Sequence, residues 1–175
     1  MPMAKSISKY SVGVGDRFGL EGAAQLRAFR AAKDRGVTIT PVWNKSNREH
    51  SLIGTRPEDV RAEADAAVNS CQWSGPYFVD ADHIGLATVD KFLEASDFFT
   101  IDVADSIGKS ASGASIDRYA AEMQRFSGTL RIPGIAEPVT VSPASLREIA
   151  SKYLFAVEEA GRVYRHIAQR KGEGT

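Results

Sequence analysis

Four short apolar runs in this chain are each followed directly by polar residues, and segments with helical periodicity separate the runs. Short strands that alternate with helices pair in parallel, so the pattern predicts an α/β fold built from βα units. The carboxyl ends of parallel strands meet at one edge, where ligands bind in open sheets and in barrels. The sequence therefore predicts one composite polar site. The four runs are SVGVG, TITPVW, PYFV and FFTIDV.

The spacing of apolar and capping residues predicts the helices between these runs. A helix is expected over about residues 20–35, with Gly36 ending it. Residues 55–58, Thr-Arg-Pro-Glu, have the pattern of a capping box with proline in the first turn of the next helix. A third, shorter helix is expected from Thr88 to Leu93. The strands should begin near residues 11, 38, 77 and 98 and lie side by side in that order.

Beyond the fourth run the pattern changes. Residues 1–110 are predicted to form the four-stranded βα part, and residues 111–175 a helical and hairpin extension of the same domain. A helix near 115–126 precedes TLRIPGIAEPVTV, whose two prolines exclude a central strand and favour a hairpin or a pair of edge segments. A long helix over about 143–170 follows.

Composition limits the kinds of partner. Lysine and arginine total 22, and aspartate and glutamate also total 22, so no overall field attracts nucleic acid. The single cysteine, Cys71, rules out an intrachain disulfide and fits a reducing compartment. The first ten residues lack the apolar core of a signal peptide, and no apolar run reaches the length of a membrane span. We expect a cytoplasmic protein with small-molecule partners and neither nucleic-acid nor membrane partners.

The third run ends in two aspartates and a histidine. Side chains alternate along a strand, so Asp80 and Asp82 should share one face, opposite Val79 and Ala81. Two carboxylates on one face beside His83 suit a divalent metal ion. The alternative is that Asp80 caps a loop that His83 merely begins. This segment supplies at most two or three ligands, which is an incomplete set.

The second run ends in the polar segment WNKSNREH, residues 43–50. Lys45 and Arg48 could hold a carboxylate or several hydroxyls, and Glu49 or His50 could move a proton. A solvated loop is the alternative. Polar residues near the strand ends complete the set of candidate substrate-binding residues: Asp16, Arg17, Lys45, Asn47, Arg48, His50 and Asp102.

Glycines in the first run raise a nucleotide-binding alternative. Gly13, Gly15 and Gly19 give G-x-G-x-x-x-G, which departs from the dinucleotide-binding pattern G-x-G-x-x-G. The residues 108–110, Gly-Lys-Ser, resemble the end of a P-loop, but position 103 is valine where that motif needs glycine. The P-loop is therefore rejected, and a non-catalytic nucleotide-binding module stays as a weak alternative.

Several longer segments carry a family resemblance. YSVGVGDRFG, ITPVWNKSNREHSLIGTRPEDVRAEADAAV, GPYFVDADHIGLATVDKFL and FFTIDVADSIG resemble the N-terminal part of the tagaturonate epimerase family over about residues 10–108. The resemblance implies a (β/α)8 barrel of the TIM type, a divalent metal ion and interconversion of tagaturonate and fructuronate at one carbinol carbon. Zinc, manganese, nickel and magnesium stay open. By position, it implies Glu49 as acid/base and Asp82 as a metal ligand, with Lys45, Arg48 and His83 nearby.

The family's chains are considerably longer than this one. We therefore expect the remaining barrel strands, metal ligands and a second acid/base to come from a missing C-terminal part or from a partner chain. The chain alone is expected not to turn over ketouronate. Because the carbinol carbon lies two bonds from the ketone, a retro-aldol route is more plausible than direct proton abstraction. A metal-dependent aldolase or isomerase of a related sugar acid is the alternative enzyme.

Overall fold

The computed structural model describes residues 7–172. Residues 1–6, which belong to the N-terminal segment considered for a signal peptide, and residues 173–175 lie outside the described part. The chain divides into two compact units. The first comprises Met1–Asp102 with Val163–Thr175, and the second comprises Val103–Arg162.

The first unit is built on a parallel sheet. Among the described residues its strands are β1 (Ser11–Gly15), β2 (Thr40–Ser46), β3 (Phe78–Ile84) and β4 (Phe98–Ile101). They lie in the order β1-β2-β3-β4, and every neighbouring pair is parallel. This confirms the predicted strand order and the α/β class. Within residues 7–172, β1 and β4 are the outer strands of the sheet.

Helices connect these strands, with three differences from the sequence prediction. α1 (Gly22–Asp34) joins β1 to β2, and α2 (Asn47–Ile53) with α3 (Pro57–Ser70) joins β2 to β3. α2 begins within the polar segment 43–50, for which no helix was predicted. The predicted capping box begins at Thr55. In the structure the N-cap of α3 is the next residue, Arg56, whose N–H donates to the Asp59 carboxylate. The third predicted helix is a single 3-10 turn, Val89–Lys91.

Apolar side chains from α1, α3 and the strands form the core on one side of the sheet. This cluster contains Leu26, Phe29, Trp43, Val60, Ala64, Ala67 and Val79. Burial of each of the larger side chains in this cluster contributes roughly 1.5–3 kcal/mol to the stability of the fold. A second cluster includes Ala81, Ile84 and Phe92. Val79 and Ala81 are thus both buried in apolar clusters, and the alternation of the strand places Asp80 and Asp82 on its other face.

The second unit contains α4 (Gly113–Met123), the strands β5 (Gly128–Leu130) and β6 (Val139–Val141), and α5 (Pro143–Lys171) up to Arg162. β5 and β6 pair antiparallel, and both prolines lie in the connection, so the predicted hairpin is confirmed. The helix expected near 115–126 is α4 followed by a 3-10 turn.

The sequence predicts no membrane-spanning segment. Between residues 7 and 172, every helix falls short of the length or the apolar character that crossing a membrane requires.

Candidate functional site

A polar cavity of about 610 Å³ lies at the carboxyl ends of β2, β3 and β4. It brings together six of the residues that the sequence singled out, from three different strand ends. This is the composite site that the parallel arrangement predicts. The lining residues are Ser46, Asn47, Arg48, Glu49, Asp82, His83, Thr88 and Asp102.

Glu49 is held by a capping box at the start of α2. Its Oε2 atom accepts hydrogen bonds from the N–H of Ser46 at 3.0 Å and from the Ser46 hydroxyl at 2.9 Å. The N–H of Glu49 donates back to the Ser46 hydroxyl at 3.3 Å. The S-x-x-E pattern at 46–49 is the sequence signature of this motif, and it could have revealed both α2 and the role of Ser46.

The surroundings of Glu49 favour its ionised form. The hydrogen bond from the Ser46 N–H is the largest influence that holds the pKa of Glu49 below its ordinary value, and the Ser46 hydroxyl acts in the same sense. The positive charges of Arg17 and Lys45 add to this effect, while partial burial opposes it. Arg17 Nε lies 3.9 Å from Glu49 Oε1. At neutral pH Glu49 is therefore a carboxylate that can accept a proton.

Asp82 and His83 form a carboxylate–histidine pair at the end of β3. His83 Nδ1 lies 2.7 Å from Asp82 Oδ1. His83 has a positive φ of 53°, and the pairing of β3 with β4 shifts register between Ala81 and Ile84. A positive φ is uncommon for residues other than glycine, and such irregularities re-aim side chains near functional sites. The irregularity leaves the His83 side chain 62% exposed beside the cavity.

Asp80 has a different environment from Asp82. It is only 6% exposed, and Thr100 donates to both of its carboxylate oxygens. Burial raises the pKa of Asp80 and the nearby charge of Asp82 adds to the rise, whereas the bonds from Thr100 oppose it. Asp80 is not among the residues that line the cavity. The sequence correctly placed the two aspartates on one face but could not show that Thr100 holds one of them.

The donor atoms at the cavity fit part of a metal site. Within residues 7–172, no group of three or more His, Cys, Asp or Glu side chains is arranged to hold a metal ion. The bond between Asp82 and His83 uses one oxygen and one ring nitrogen, so this pair could offer its other oxygen and the other ring nitrogen. Those two donors are half of the four that a tetrahedral zinc site needs. A carboxylate bonded to a histidine is also the usual device for orienting a metal-binding ring.

Four predicted binding residues lie apart from the cavity lining, namely Asp16, Arg17, Lys45 and His50, and the last two are buried. Lys45 is 3% exposed, and its Nζ lies 3.9 Å from the position that a Cβ would occupy on Gly19. Its charge is close enough to Glu63 to oppose the rise in pKa that burial causes in that residue. His50 is 4% exposed, and its Nδ1 lies 2.9 Å from Thr55 Oγ1. Burial, with the charge of Lys45, lowers the pKa of His50.

Asp16 supports the start of α1. Its carboxylate accepts hydrogen bonds from the N–H groups of Phe18, Leu20 and Glu21 at 3.0, 2.7 and 2.5 Å. Although partial burial raises its pKa, the surrounding backbone N–H groups together hold the pKa of Asp16 below its ordinary value. These N–H groups belong to the connection between β1 and α1, so a carboxylate of the chain itself orders the backbone that leads into the helix.

The strand-one glycines have a packing role. A Cβ on Gly13 would lie 3.3 Å from Asn44 Nδ2, and a Cβ on Gly15 would lie 3.1 Å from Asn44 Oδ1. These glycines therefore give room to the side chain of the neighbouring strand. The close approach of Asn44 therefore gives Gly13 and Gly15 a structural role in the pairing of β1 with β2.

The fold and the cavity define a class of protein. A parallel βα sheet with an ionised carboxylate and a carboxylate–histidine pair at the carboxyl ends of its strands has the architecture of the α/β proteins that bind ligands at this edge. The family model for tagaturonate epimerase matches residues 1–173. The chain therefore belongs to the tagaturonate epimerase family.

Solved structures of the fructuronate-tagaturonate epimerase UxaE from Cohnella laeviribosi share the fold. A form complexed with one glycerol is 20% identical, with a TM-score of 0.68 over 97% of this chain. The native form is also 20% identical, with a TM-score of 0.67 over 98% of this chain. This chain spans only 36% and 37% of the lengths of those two chains. No curated protein matches the sequence.

Proposed function

We propose that this chain carries part of the active site of a metal-dependent epimerase that interconverts D-tagaturonate and D-fructuronate. The observation that carries the proposal is the cavity in which Glu49 and the pair of Asp82 and His83 lie together. Family membership supports the substrate class. The name of the Cohnella laeviribosi relatives, fructuronate-tagaturonate epimerase, agrees with it.

The reaction proceeds by retro-aldol cleavage and re-addition. Glu49 accepts the hydroxyl proton of the carbinol, the adjacent carbon–carbon bond breaks, and its electrons move towards the ketone. The aldehyde rotates and re-adds through its other face, and the proton returns to its oxygen. Arg48, which lines the cavity, holds the substrate carboxylate during the rotation. A divalent metal ion, when bound, would stabilise negative charge on the ketone and neighbouring oxygens.

Asp82 and His83 are the metal-binding candidates that this proposal retains. Both line the cavity, and each has a donor atom that is not used in the bond between them. Asp80 is left out because metal binding would require it to give up the two bonds from Thr100. We assign Asp80 to ordering the junction of β3 and β4 instead.

The rest of the site requires strands beyond those of this chain. A barrel of this type has eight strands, and the parallel sheet within residues 7–172 has four, with β1 and β4 at its edges. Further strands, from a longer polypeptide or a partner chain, would supply the remaining ligands and a second acid/base. The reaction belongs to cytoplasmic sugar-acid catabolism. The alternative is an aldolase that uses the same residues and releases the two cleavage fragments.

The test compares two preparations, the chain alone and the chain fused to the remainder of the Cohnella laeviribosi UxaE. Each is incubated with fructuronate and with Zn²⁺, Mn²⁺, Ni²⁺ or Mg²⁺, and the products are separated by chromatography. We expect tagaturonate from the fused protein only. Release of a hydroxyketone and of an aldehyde that carries the carboxylate would favour the aldolase. Tagaturonate formed at an enzyme-like rate by the chain alone would show that no further strands are needed.

A further inference from the structure

Ser46 occupies a place at the site that the sequence did not single out. It is the last residue of β2, is 7% exposed and lines the cavity. Its Cα is paired with that of Asp82 across β2 and β3. Ser46 is thus fixed by the sheet on one side and joined to the acid/base candidate on the other.

The bonds between Ser46 and Glu49 restrict the carboxylate. Both the N–H and the hydroxyl of Ser46 donate to the same oxygen, Glu49 Oε2. The plane of the carboxylate is therefore set by two donors that are themselves fixed at the end of a strand. The other oxygen, Oε1, is the one nearer to Arg17, at 3.9 Å from Arg17 Nε. This arrangement leaves Oε1 as the oxygen that can take a substrate proton.

We propose that Ser46 is a positioning residue, which holds the Glu49 carboxylate with Oε1 available for proton transfer. The inference rests on the function proposed above, because it gives Ser46 a part in the same reaction. A capping box alone would stabilise α2 wherever it occurred. Here it also fixes the orientation and the charge of the group that accepts the proton.

Several charged groups surround Glu49, so Ser46 is only one of the groups that affect its pKa. Arg17 comes from the connection after β1, Lys45 from β2 and Arg48 from α2 itself. Across the cavity lie Asp82, His83 and Asp102. Removing the Ser46 hydroxyl leaves its N–H bond and both cations that lower the pKa of Glu49. The pKa of Glu49 should therefore rise, but only part of the way to its ordinary value.

The first measurement is a carbon-13 NMR titration of the Glu49 carboxyl group in the 175-residue chain. The variants are Ser46→Ala, Ser46→Thr, which keeps the hydroxyl, and Ser112→Ala as a matched control. Ser112 caps α4 in the second unit by accepting the N–H of Ser115 at 3.1 Å. Loss of a cap should lower the melting temperature of both alanine variants. Only Ser46→Ala should raise the pKa of Glu49, and Ser46→Thr should restore it.

The second measurement is the pH dependence of fructuronate turnover by the fused protein. Ser46→Ala should lower kcat by about 10-fold, equivalent to about 1.4 kcal/mol of transition-state stabilisation, with little change in KM. The acidic limb of the profile should move to higher pH. Ser112→Ala should change neither kcat nor the pH profile.

The outcomes separate this inference from the proposed function. An unchanged Glu49 pKa in Ser46→Ala overturns the positioning role, whether or not fructuronate is turned over. A raised pKa without turnover by any preparation shows that Ser46 binds the Glu49 carboxylate, but it rejects the epimerase and with it the part given to Ser46 in that reaction. A raised pKa with an unchanged kcat and pH profile shows that Ser46 is only a helix cap.

Discussion

Thr100 donates two hydrogen bonds to the carboxylate of Asp80, one from its N–H to Oδ1 at 3.0 Å and one from its hydroxyl to Oδ2 at 2.7 Å. Both bonds join β4 to β3 through a buried carboxylate. The junction of the two strands therefore depends on a polar pair as well as on the ladder of backbone bonds.

We predict that Thr100→Val destabilises the protein by about 1–3 kcal/mol, because it leaves one oxygen of a buried carboxylate without its hydroxyl donor. The free energy of unfolding in urea is the measurement. Thr129→Val, on an exposed strand of the hairpin, is the matched control and should change stability by less than about 0.5 kcal/mol. Equal effects at the two threonines would contradict the role given to the Asp80 bond.

The second prediction concerns His50 and pH. Burial holds the pKa of His50 below 6.5, so below that pH the unfolded chain binds more protons at this residue than the folded chain does. The contribution of neutral His50 to stability is present above pH 6.5 and should be lost as the pH falls from there towards the folded pKa. Urea unfolding between pH 8 and pH 5 measures this loss.

In this experiment His50→Gln should flatten the fall in stability below pH 6.5. His166→Gln is the control, since His166 forms an exposed pair with Asp90 and should leave the His50 contribution intact. A fall of the same steepness in His50→Gln as in the unchanged chain would show that other groups cause it.

The third prediction is that Asp82→Asn weakens metal retention by the fused protein by about 10-fold or more. The Asp82 carboxylate either binds the metal ion or orients His83, and asparagine removes the negative charge in both cases. Metal content after dialysis against a chelator is the measurement. Asp117→Asn, in an exposed ion pair with Arg147, should retain metal as the unchanged chain does. Equal metal content in both variants would remove Asp82 from the site.

The fourth prediction is that Glu49→Gln lowers fructuronate turnover in the fused protein by at least about 10², from loss of acid/base help. Glutamine can keep the capping box with Ser46, so the melting temperature should change little. The exposed Glu94→Gln is the control and should keep full activity. Activity that survives in Glu49→Gln would exclude this residue as the base.

Much of the fold of the first unit could be predicted, because its physical causes are local. Apolar runs of four to six residues separated by helical periodicity allow only parallel pairing through crossover connections. The order β1-β2-β3-β4 followed from that. The position of the site at the carboxyl edge followed as well, since parallel strands end together.

Details of the helices were harder to predict, because alternative caps lie only one residue apart. Thr55 has the composition of a cap, but its hydroxyl is bonded to His50, and the helix is capped at Arg56 instead. α2 was missed because its apolar content is low and its start depends on the Ser46–Glu49 capping box. In both places the boundary of a helix depends on which of two nearby partners a side chain bonds, and the sequence favours neither partner.

What the sequence by itself determined is the set of strands, their order and the edge that holds the polar residues, because hydrophobic periodicity fixes these. Tertiary structure decided which of those residues share the cavity. Lys45 and Ser46 are adjacent, yet they lie on opposite sides of β2, one near Glu63 and one at the cavity. Asp80 is held by Thr100, twenty residues further along the chain, while Asp82 stays at the cavity. Such choices depend on contacts between strands distant in sequence, which residue types and local spacing do not encode.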